Sequence, residues 1–211
     1  MAIVQFVKNK KMNKAINREM ILIGFAGPAR SGKTYMANRV KEHIEPGRST
    51  IVSFADPIKD MLSVLIGSDA KDDSIKELPH KDLCNQTIRK AMQTLGTEWG
   101  RNLIGQNIWI NALEKRVKST DASVVLIPDV RFDSEAEMIF KNGGKVFYIS
   151  PNEELYTEIN ESKHVSESSL SKEVLDKCIH FINNFDEEAI PIIEAVLLQE
   201  AEFQQLVKTR K

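Results

Sequence analysis

The chain has 211 residues, 42% of them hydrophobic and 28% charged, and its formal net charge is -1. This length suffices for one buried core, so we predict a single domain over residues 20–211, preceded by an extension over residues 1–19. No apolar run reaches the ~20 residues of a membrane span, residues 1–19 lack a secretion signal, and the balanced charge gives no general attraction to nucleic acid. We therefore expect a cytoplasmic protein that binds neither membranes nor polynucleotides.

Apolar runs of strand length alternate with stretches of helical periodicity from Ile21 onward. This alternation predicts a three-layer α/β fold, with a roughly five-stranded parallel sheet covered by helices. The predicted strands are Ile21–Ala26, Thr50–Phe54, Ser123–Ile127, Lys145–Ile149 and Cys178–Ile182.

The stretches between these strands contain helix start and stop signals. A helix is predicted over Lys33–His43, and Gly96–Arg101 is predicted to lie as a turn between two later helices. Ser134 and Glu137 fit a capping box at the start of another helix. The polar residues 67–83 predict a mobile surface insertion, and residues 151–172 predict a lid-like segment.

A phosphate-binding motif, GxxxxGK[ST], is complete at residues 27–34, after the first predicted strand and at the start of a helix. Backbone N–H groups of such a loop surround phosphate oxygens, and the helix N-terminus adds partial positive charge. Lys33 is expected to follow the charge on the β- and γ-phosphates of ATP, and the Thr34 hydroxyl is expected to bind Mg2+. The predicted ATP contacts in this loop are Gly27, Arg30, Ser31, Gly32, Lys33 and Thr34.

Other motifs narrow the class of phosphate-loop protein. No NKxD motif follows a later strand, as a GTPase switch requires, and no LSGGQ-like element is present. A compact enzyme that brings a second substrate to the γ-phosphate remains, and it needs arginines and a base-stacking aromatic near the loop. Residues of these types on segments near the carboxyl ends of the strands are Arg89, Arg101, Arg131, Trp99 and Trp109.

Four segments around the loop have a recognisable order and spacing: Ser53–Asp60, Arg89–Glu98, Ile127–Arg131 and His164–Glu167. Together they resemble the bacteriophage-type deoxynucleoside monophosphate kinases, over about residues 21–190. The resemblance implies a P-loop nucleoside monophosphate kinase fold. It also implies in-line phosphoryl transfer from Mg-ATP to a deoxynucleoside 5′-monophosphate.

The resemblance implies a role for each residue at the end of the third strand. Asp129 is similar to the family's acidic group near Mg2+, although capping of the next turn is an alternative. Arg131 resembles an arginine that contacts the transferred phosphoryl or the acceptor phosphate, and a surface ion pair is its alternative. Lys33, Asp129 and Arg131 are thus the predicted catalytic residues.

The acceptor is expected beside the second strand, where related kinases hold it. Asp56 and Lys59 follow that strand, and the Phe54 ring could stack on the base. A helix-cap role for Asp56 competes with this assignment. Arg89 and Gln93 share a helix face, which suits a phosphate contact and a base-edge contact, or simply an exposed polar face.

The tryptophans have two interpretations each. Trp109, on an amphipathic helix, is expected in the core in preference to a role as a platform for the ligand. Trp99, in the predicted turn beside Arg101, is expected either in the core or as a platform for the substrate, and Arg101 is taken as a substrate contact.

The final segments contain two further predicted site residues and two departures from the family pattern. His164 is expected to contact substrate or to support a closing lid, and Asn184 lies in a segment that resembles the adenine-side loop. Ser150 stands where the family pattern has an arginine, and no glycine follows Asn184.

Two alternatives stay open: an enzyme resembling dephospho-coenzyme A kinases, and a nucleotide-sensing protein that has lost transfer activity. The base preference, the sugar preference and a homodimeric state stay open as well.

Overall fold

The computed structural model describes residues 20–151 and 170–183. Its strands, in chain order, are β1 (Ile21–Ala26), β2 (Ser49–Ile51), β3 (Pro79–His80), β4 (Gln86–Thr87), β5 (Val124–Val130), β6 (Lys145–Pro151) and β7 (Ile179–Asn183). Its helices are α1 (Lys33–His43), α2 (Asp56–Ile66), α3 (Ile88–Gln93), α4 (Ile108–Ser119), α5 (Asp133–Lys141) and α6 (Lys172–Leu175), with a π-helix at Thr94–Ile104 and 3-10 turns at Gly67–Lys71 and Lys81–Leu83.

Five of the strands form one sheet in the order β2-β5-β1-β6-β7. Every neighbouring pair in it is parallel, as the alternation of strand and helix patterns predicted. From β1 the chain builds β2 and β5 on one side and then β6 and β7 on the other. The carboxyl end of β1 is therefore a topological switch point, the place where ligands bind in sheets of this kind.

Helices cover both faces of the sheet, which confirms the three-layer α/β fold. On one face Met36 and Val40 of α1 pack with Phe25 and Phe147. On the other face α2, α4 and α5 pack against the sheet through apolar residues that include Leu62, Leu113 and Ile139. Because both faces are buried, the central strands are continuous apolar runs, without alternation of polar and apolar residues.

The predicted turn at Gly96–Arg101 is wrong, because these residues belong to the π-helix that continues α3. The cause is a tertiary contact with Trp109, whose Nε1 donates a hydrogen bond to the Gly96 carbonyl at 2.7 Å. A Cβ at Gly100 would lie 2.4 Å from Cζ2 of that indole. The absence of side chains at the two glycines thus lets the Trp109 ring pack against the helix. From the sequence alone, the same glycines predict a turn.

The second predicted strand is also shorter than expected, since β2 ends at Ile51. The residues after it are held in a turn by carboxylates, as described below. Residues 67–83 are locally ordered by the two 3-10 turns and by β3, which pairs antiparallel with β4. The mobility of this insertion stays a prediction.

Three predicted regions lie wholly or mostly outside the described residues: the extension over residues 1–19, most of the lid-like segment near 151–172, and everything after residue 183. The single-domain assignment stays a prediction for the same reason. None of the helices that the structure describes is long and apolar enough to cross a bilayer.

Candidate active site

The loop between β1 and α1 requires glycine at two positions. Gly27 has φ 136° and Gly32 has φ 90°, which are backbone conformations that residues with a Cβ rarely adopt. A Cβ at Gly27 would also lie 2.2 Å from the Ile149 carbonyl oxygen at the end of β6. The loop therefore packs directly on the neighbouring strand. No acidic residue occupies the first turn of α1, so the partial positive charge of this helix end is not neutralised there.

Lys33 points back into this loop. Its Nζ donates hydrogen bonds to the carbonyl oxygens of Gly27, at 2.9 Å, and Pro28, and it lies 3.5 Å from Ser31 Oγ. Ser31 is fully buried, whereas Arg30 and Thr34 are exposed around the loop. The ammonium group thus lies within the concave loop in which the motif predicts phosphate oxygens.

Asp129 lies at the carboxyl end of β5 and fastens the loop that follows β2. One carboxylate oxygen accepts the Phe54 N–H and the other accepts the Ala55 N–H, both at 2.9 Å. It caps this preceding loop, and not the next turn as the alternative prediction had it. Burial raises the pKa of Asp129, an effect opposed by the two N–H bonds and by the nearby Arg131 guanidinium.

The residues after β2 make contacts within the protein, and the contact of Asp56 matches its alternative, helix-start role. The Asp56 carboxylate accepts the Ser53 N–H at 2.8 Å, which is a helix-start contact. Phe54 is 4% exposed and packs in the core, so the prediction that its ring stacks on a base is not supported. Lys59 faces the insertion, where its Nζ lies 3.5 Å from Asp73.

Arg89 and Gln93 lie one turn apart on α3, as predicted. Arg89 forms an ion pair with Glu77, and both side chains keep some exposure, so the guanidinium stays close to solvent. Trp109 is 4% exposed, which confirms its core assignment. Trp99 is partly buried, and its ring centroid lies 6.3 Å from that of Trp109.

Arg101 is buried, contrary to its predicted role as a substrate contact. Its side chain is 6% exposed and forms an ion pair with Glu135, which is 2% exposed. The guanidinium also lies 3.7 Å from the centre of the Phe132 ring. An arginine with these internal partners belongs to the framework behind the site.

Glu135 was not predicted as a site residue, and the predicted capping box of Ser134 and Glu137 is wrong. The helix begins at Asp133, one of its two predicted starts, but its N-cap is Phe132, two positions before Ser134. The Glu135 carboxylate accepts the N–H groups of Arg131 at 2.8 Å and Phe132 at 3.1 Å. The signal for it was an acidic residue three positions after Phe132, the spacing of a capping acid. Burial raises the pKa of Glu135 to about 7, against the lowering effects of Arg101 and of these hydrogen bonds.

Three segments meet at the carboxyl edge of the sheet: the loop 27–34, residues 53–55 and residues 129–131. Ala26 of β1 pairs with Val130 of β5, so the next residues along each strand, Gly27 and Arg131, follow at the same edge. Within the described residues no cluster of three or more His, Cys, Asp or Glu could hold a metal ion. His164 and Asn184 lie outside the described residues.

A strand, a GxxxxGK[ST] loop and a helix in a parallel sheet define the P-loop class of nucleotide-binding proteins. Within that class, the model of the deoxynucleotide monophosphate kinase family matches residues 70–189, more than half of the chain. The chain belongs to this family. The matched region begins after the P-loop, so the two observations are independent.

A curated relative has a similar sequence over part of the chain. The deoxynucleoside-5′-monophosphate kinase of Escherichia phage T5 is 32% identical over 103 residues, which are 46% of this chain and 40% of the relative. The match thus spans less than half the length of the phage protein.

Solved structures give weaker likenesses. TT1252 from Thermus thermophilus is 13% identical, with a TM-score of 0.49 over 86% of this chain and 98% of that one. The tunicamycin resistance protein of Deinococcus radiodurans is 12% identical, with a TM-score of 0.42 over 85% of this chain and 95% of that one. At these TM-scores neither likeness bears on activity.

Proposed function

We propose that the protein transfers the γ-phosphoryl group of ATP to a deoxynucleoside 5′-monophosphate, giving ADP and a deoxynucleoside diphosphate. The observation that carries this proposal is the meeting of the P-loop with residues 53–55 and 129–131 at one edge of the sheet. Membership of the deoxynucleotide monophosphate kinase family supports the class of acceptor. The setting is the cytoplasm, which is the host cytoplasm if a phage encodes the chain.

ATP phosphates bind in the loop between β1 and α1. The N–H groups at the start of α1 face the phosphate oxygens, and Lys33 exchanges its bonds to the Gly27 and Pro28 carbonyls for bonds to the β- and γ-phosphates. Arg30, exposed on the same loop, adds positive charge beside the transferred group.

Thr34 and Asp129 are suited to a magnesium site, since a hydroxyl and a carboxylate are hard oxygen ligands. Each Asp129 oxygen accepts one backbone N–H, which leaves lone pairs that would hold Mg2+ directly or through water. When bound, Mg2+ would neutralise charge on the phosphate oxygens of ATP. Phosphate oxygens and waters would complete its ligand set, so a dense cluster of acidic residues is not required.

Arg131 binds the phosphoryl group during transfer. Its guanidinium lies close enough to Asp129 to lower the pKa of that carboxyl, and its planar fork matches two phosphate oxygens. The acceptor lies toward α3, where Arg89 and Gln93 offer a phosphate contact and a base-edge contact. In-line geometry and positive charge then supply most of the catalysis.

A coupled ADP-release assay tests the proposal. Mg-ATP is supplied with dAMP, dCMP, dGMP, dTMP, dUMP or a modified pyrimidine monophosphate, and AMP and dephospho-coenzyme A serve as comparison acceptors. We expect turnover with at least one deoxynucleotide, and loss of that turnover with EDTA and in Lys33→Ala. ATP binding without turnover on any acceptor would contradict the proposal and favour a nucleotide sensor, and turnover on dephospho-coenzyme A alone would redefine the acceptor.

A further inference from the structure

A buried ion pair joins the π-helix to the loop that follows β5. Arg101 of the π-helix contacts Glu135 of α5, and the two side chains are 6% and 2% exposed. Arg101 also donates to the Gln106 carbonyl at 3.2 Å and stacks 3.7 Å above the Phe132 ring. These additional contacts fix the plane of the guanidinium, and with it the position of the carboxylate.

The two Glu135 oxygens face in different directions. One contacts Arg101, and the other accepts the backbone N–H groups of Arg131 and Phe132. The backbone from which the Arg131 side chain extends is therefore held by a carboxylate that the π-helix itself holds in place. An amide at this position has only one accepting oxygen, so Glu135→Gln would break one side of this link.

The π-helix continues directly from α3, which carries Arg89 and Gln93. The acceptor side of the site and the Arg131 loop are thus connected through one buried pair. A buried ion pair contributes little net stability, because desolvation offsets most of its attraction. Segments of π-helix, moreover, occur frequently at functional sites.

We propose that Arg101 and Glu135 are positioning residues: they hold the backbone of Arg131 where its guanidinium reaches the transferred phosphoryl group, and they tie that position to the helix on the acceptor side. This inference rests on the proposed function. Neither residue is catalytic itself, because each is buried and engaged within the protein.

Two variants separate positioning from general stabilisation. Glu135→Gln removes the charge but keeps the size, and Arg101→Lys keeps the charge but loses the stacking over Phe132. The matched control is Glu42→Gln, which breaks an exposed ion pair with Arg39 at 2.8 Å, on α1. In both test variants we expect kcat to fall about tenfold to a hundredfold, as for misplaced catalytic groups, with KM for ATP within about twofold. The control keeps both constants.

A purely structural pair gives a different pattern: the melting temperature falls, but kcat per folded molecule stays the same. An unchanged kcat in both variants, corrected for the folded fraction, would overturn the proposal.

Amide hydrogen exchange tests the same link without any activity. In Glu135→Gln we expect faster exchange at Arg131 and Phe132 together with residues 97–104, whereas Glu42→Gln changes neither region. Faster exchange confined to the two amides, with the π-helix unchanged, would contradict the link. Absence of turnover in the unmodified protein would instead defeat the proposed function, so the two failures are distinguishable.

Discussion

The P-loop and the proposed acceptor side of the site differ in how they are built. The loop at residues 27–34 is a contiguous motif whose glycines and lysine adopt the geometry that the motif implies. On the proposed acceptor side, Lys59 and Arg101 contact separate segments of the chain, whereas Asp56 contacts Ser53, three residues before it. The proposed phosphate-binding loop is therefore encoded locally, and the proposed acceptor side depends partly on contacts between distant segments.

The largest expected effect is on the P-loop side. Lys33→Ala removes the charge that follows the transferred phosphoryl group, so we expect kcat to fall about a hundredfold to a thousandfold. The melting temperature should change little, because Lys33 is partly exposed and its ammonium group donates hydrogen bonds to carbonyl oxygens of its own loop. Lys41→Ala, on the exposed side of the same helix, is the control. Equal activity of the two variants would show that the Lys33 charge is not needed for transfer, which contradicts the proposed role of the P-loop.

On the proposed acceptor side, the next largest effect is a loss of stability caused by overpacking of the π-helix against Trp109. Gly100→Ala places a Cβ 2.4 Å from the Trp109 ring, and we expect the free energy of unfolding to fall by about 2–3 kcal/mol, as in overpacked cores. Gly96→Ala is the matched control, because its Cβ would lie 3.1 Å from the flexible end of Ile58. Urea unfolding measures both, and an equal effect in the two variants would show that the indole does not restrict this helix.

The Arg101–Glu135 pair should make the free energy of unfolding depend on pH. Burial raises the pKa of Glu135 to about 7 from an ordinary 4.5, so the folded protein retains a proton that the unfolded chain has lost. This contribution to stability is complete below about pH 4.5 and is lost as the pH rises through 7. The same direction applies to Asp129, whose pKa is also raised.

Comparison with Glu135→Gln tests this contribution together with its coupling to Asp129, whose negative charge helps to raise the pKa of Glu135. From pH 5 to pH 7.5 the unmodified protein should lose about 2 kcal/mol of unfolding free energy relative to the variant. Urea unfolding at the two pH values measures the difference. A difference that stays constant, or one that grows in the opposite direction, would contradict the raised pKa.

The smallest effect is expected at Asp56. Asp56→Asn keeps an oxygen that accepts the Ser53 N–H, so the free energy of unfolding should change by less than about 1 kcal/mol. The acceptor KM should stay within about threefold if this residue only starts the helix. Asp72→Asn is the control, since Asp72 accepts the Ser74 N–H at 2.8 Å in the insertion. A tenfold rise in acceptor KM for Asp56→Asn, without such a rise for Asp72→Asn, would indicate that the Asp56 carboxylate contacts the acceptor.

The sequence predicted those features that short segments encode. Strand and helix periodicity gave the five-stranded parallel sheet, and the motif gave the loop at the end of β1. The turn after β2 was mispredicted because its conformation depends on Asp129, which lies 75 positions from Phe54. The π-helix and the Arg101 pairing were missed for the same reason, since their partners are Trp109 and Glu135.

The packing of Trp99 against Trp109 also gives the protein an intrinsic optical reporter. These are the two tryptophans of the chain, and their ring centroids are 6.3 Å apart, close enough for their excited states to couple. The indole emission and the tryptophan bands of the near-ultraviolet circular dichroism therefore originate from the π-helix and α4. A rearrangement of these helices on acceptor binding would change the indole emission without any attached dye. Motion confined to the P-loop would leave the indole emission unchanged.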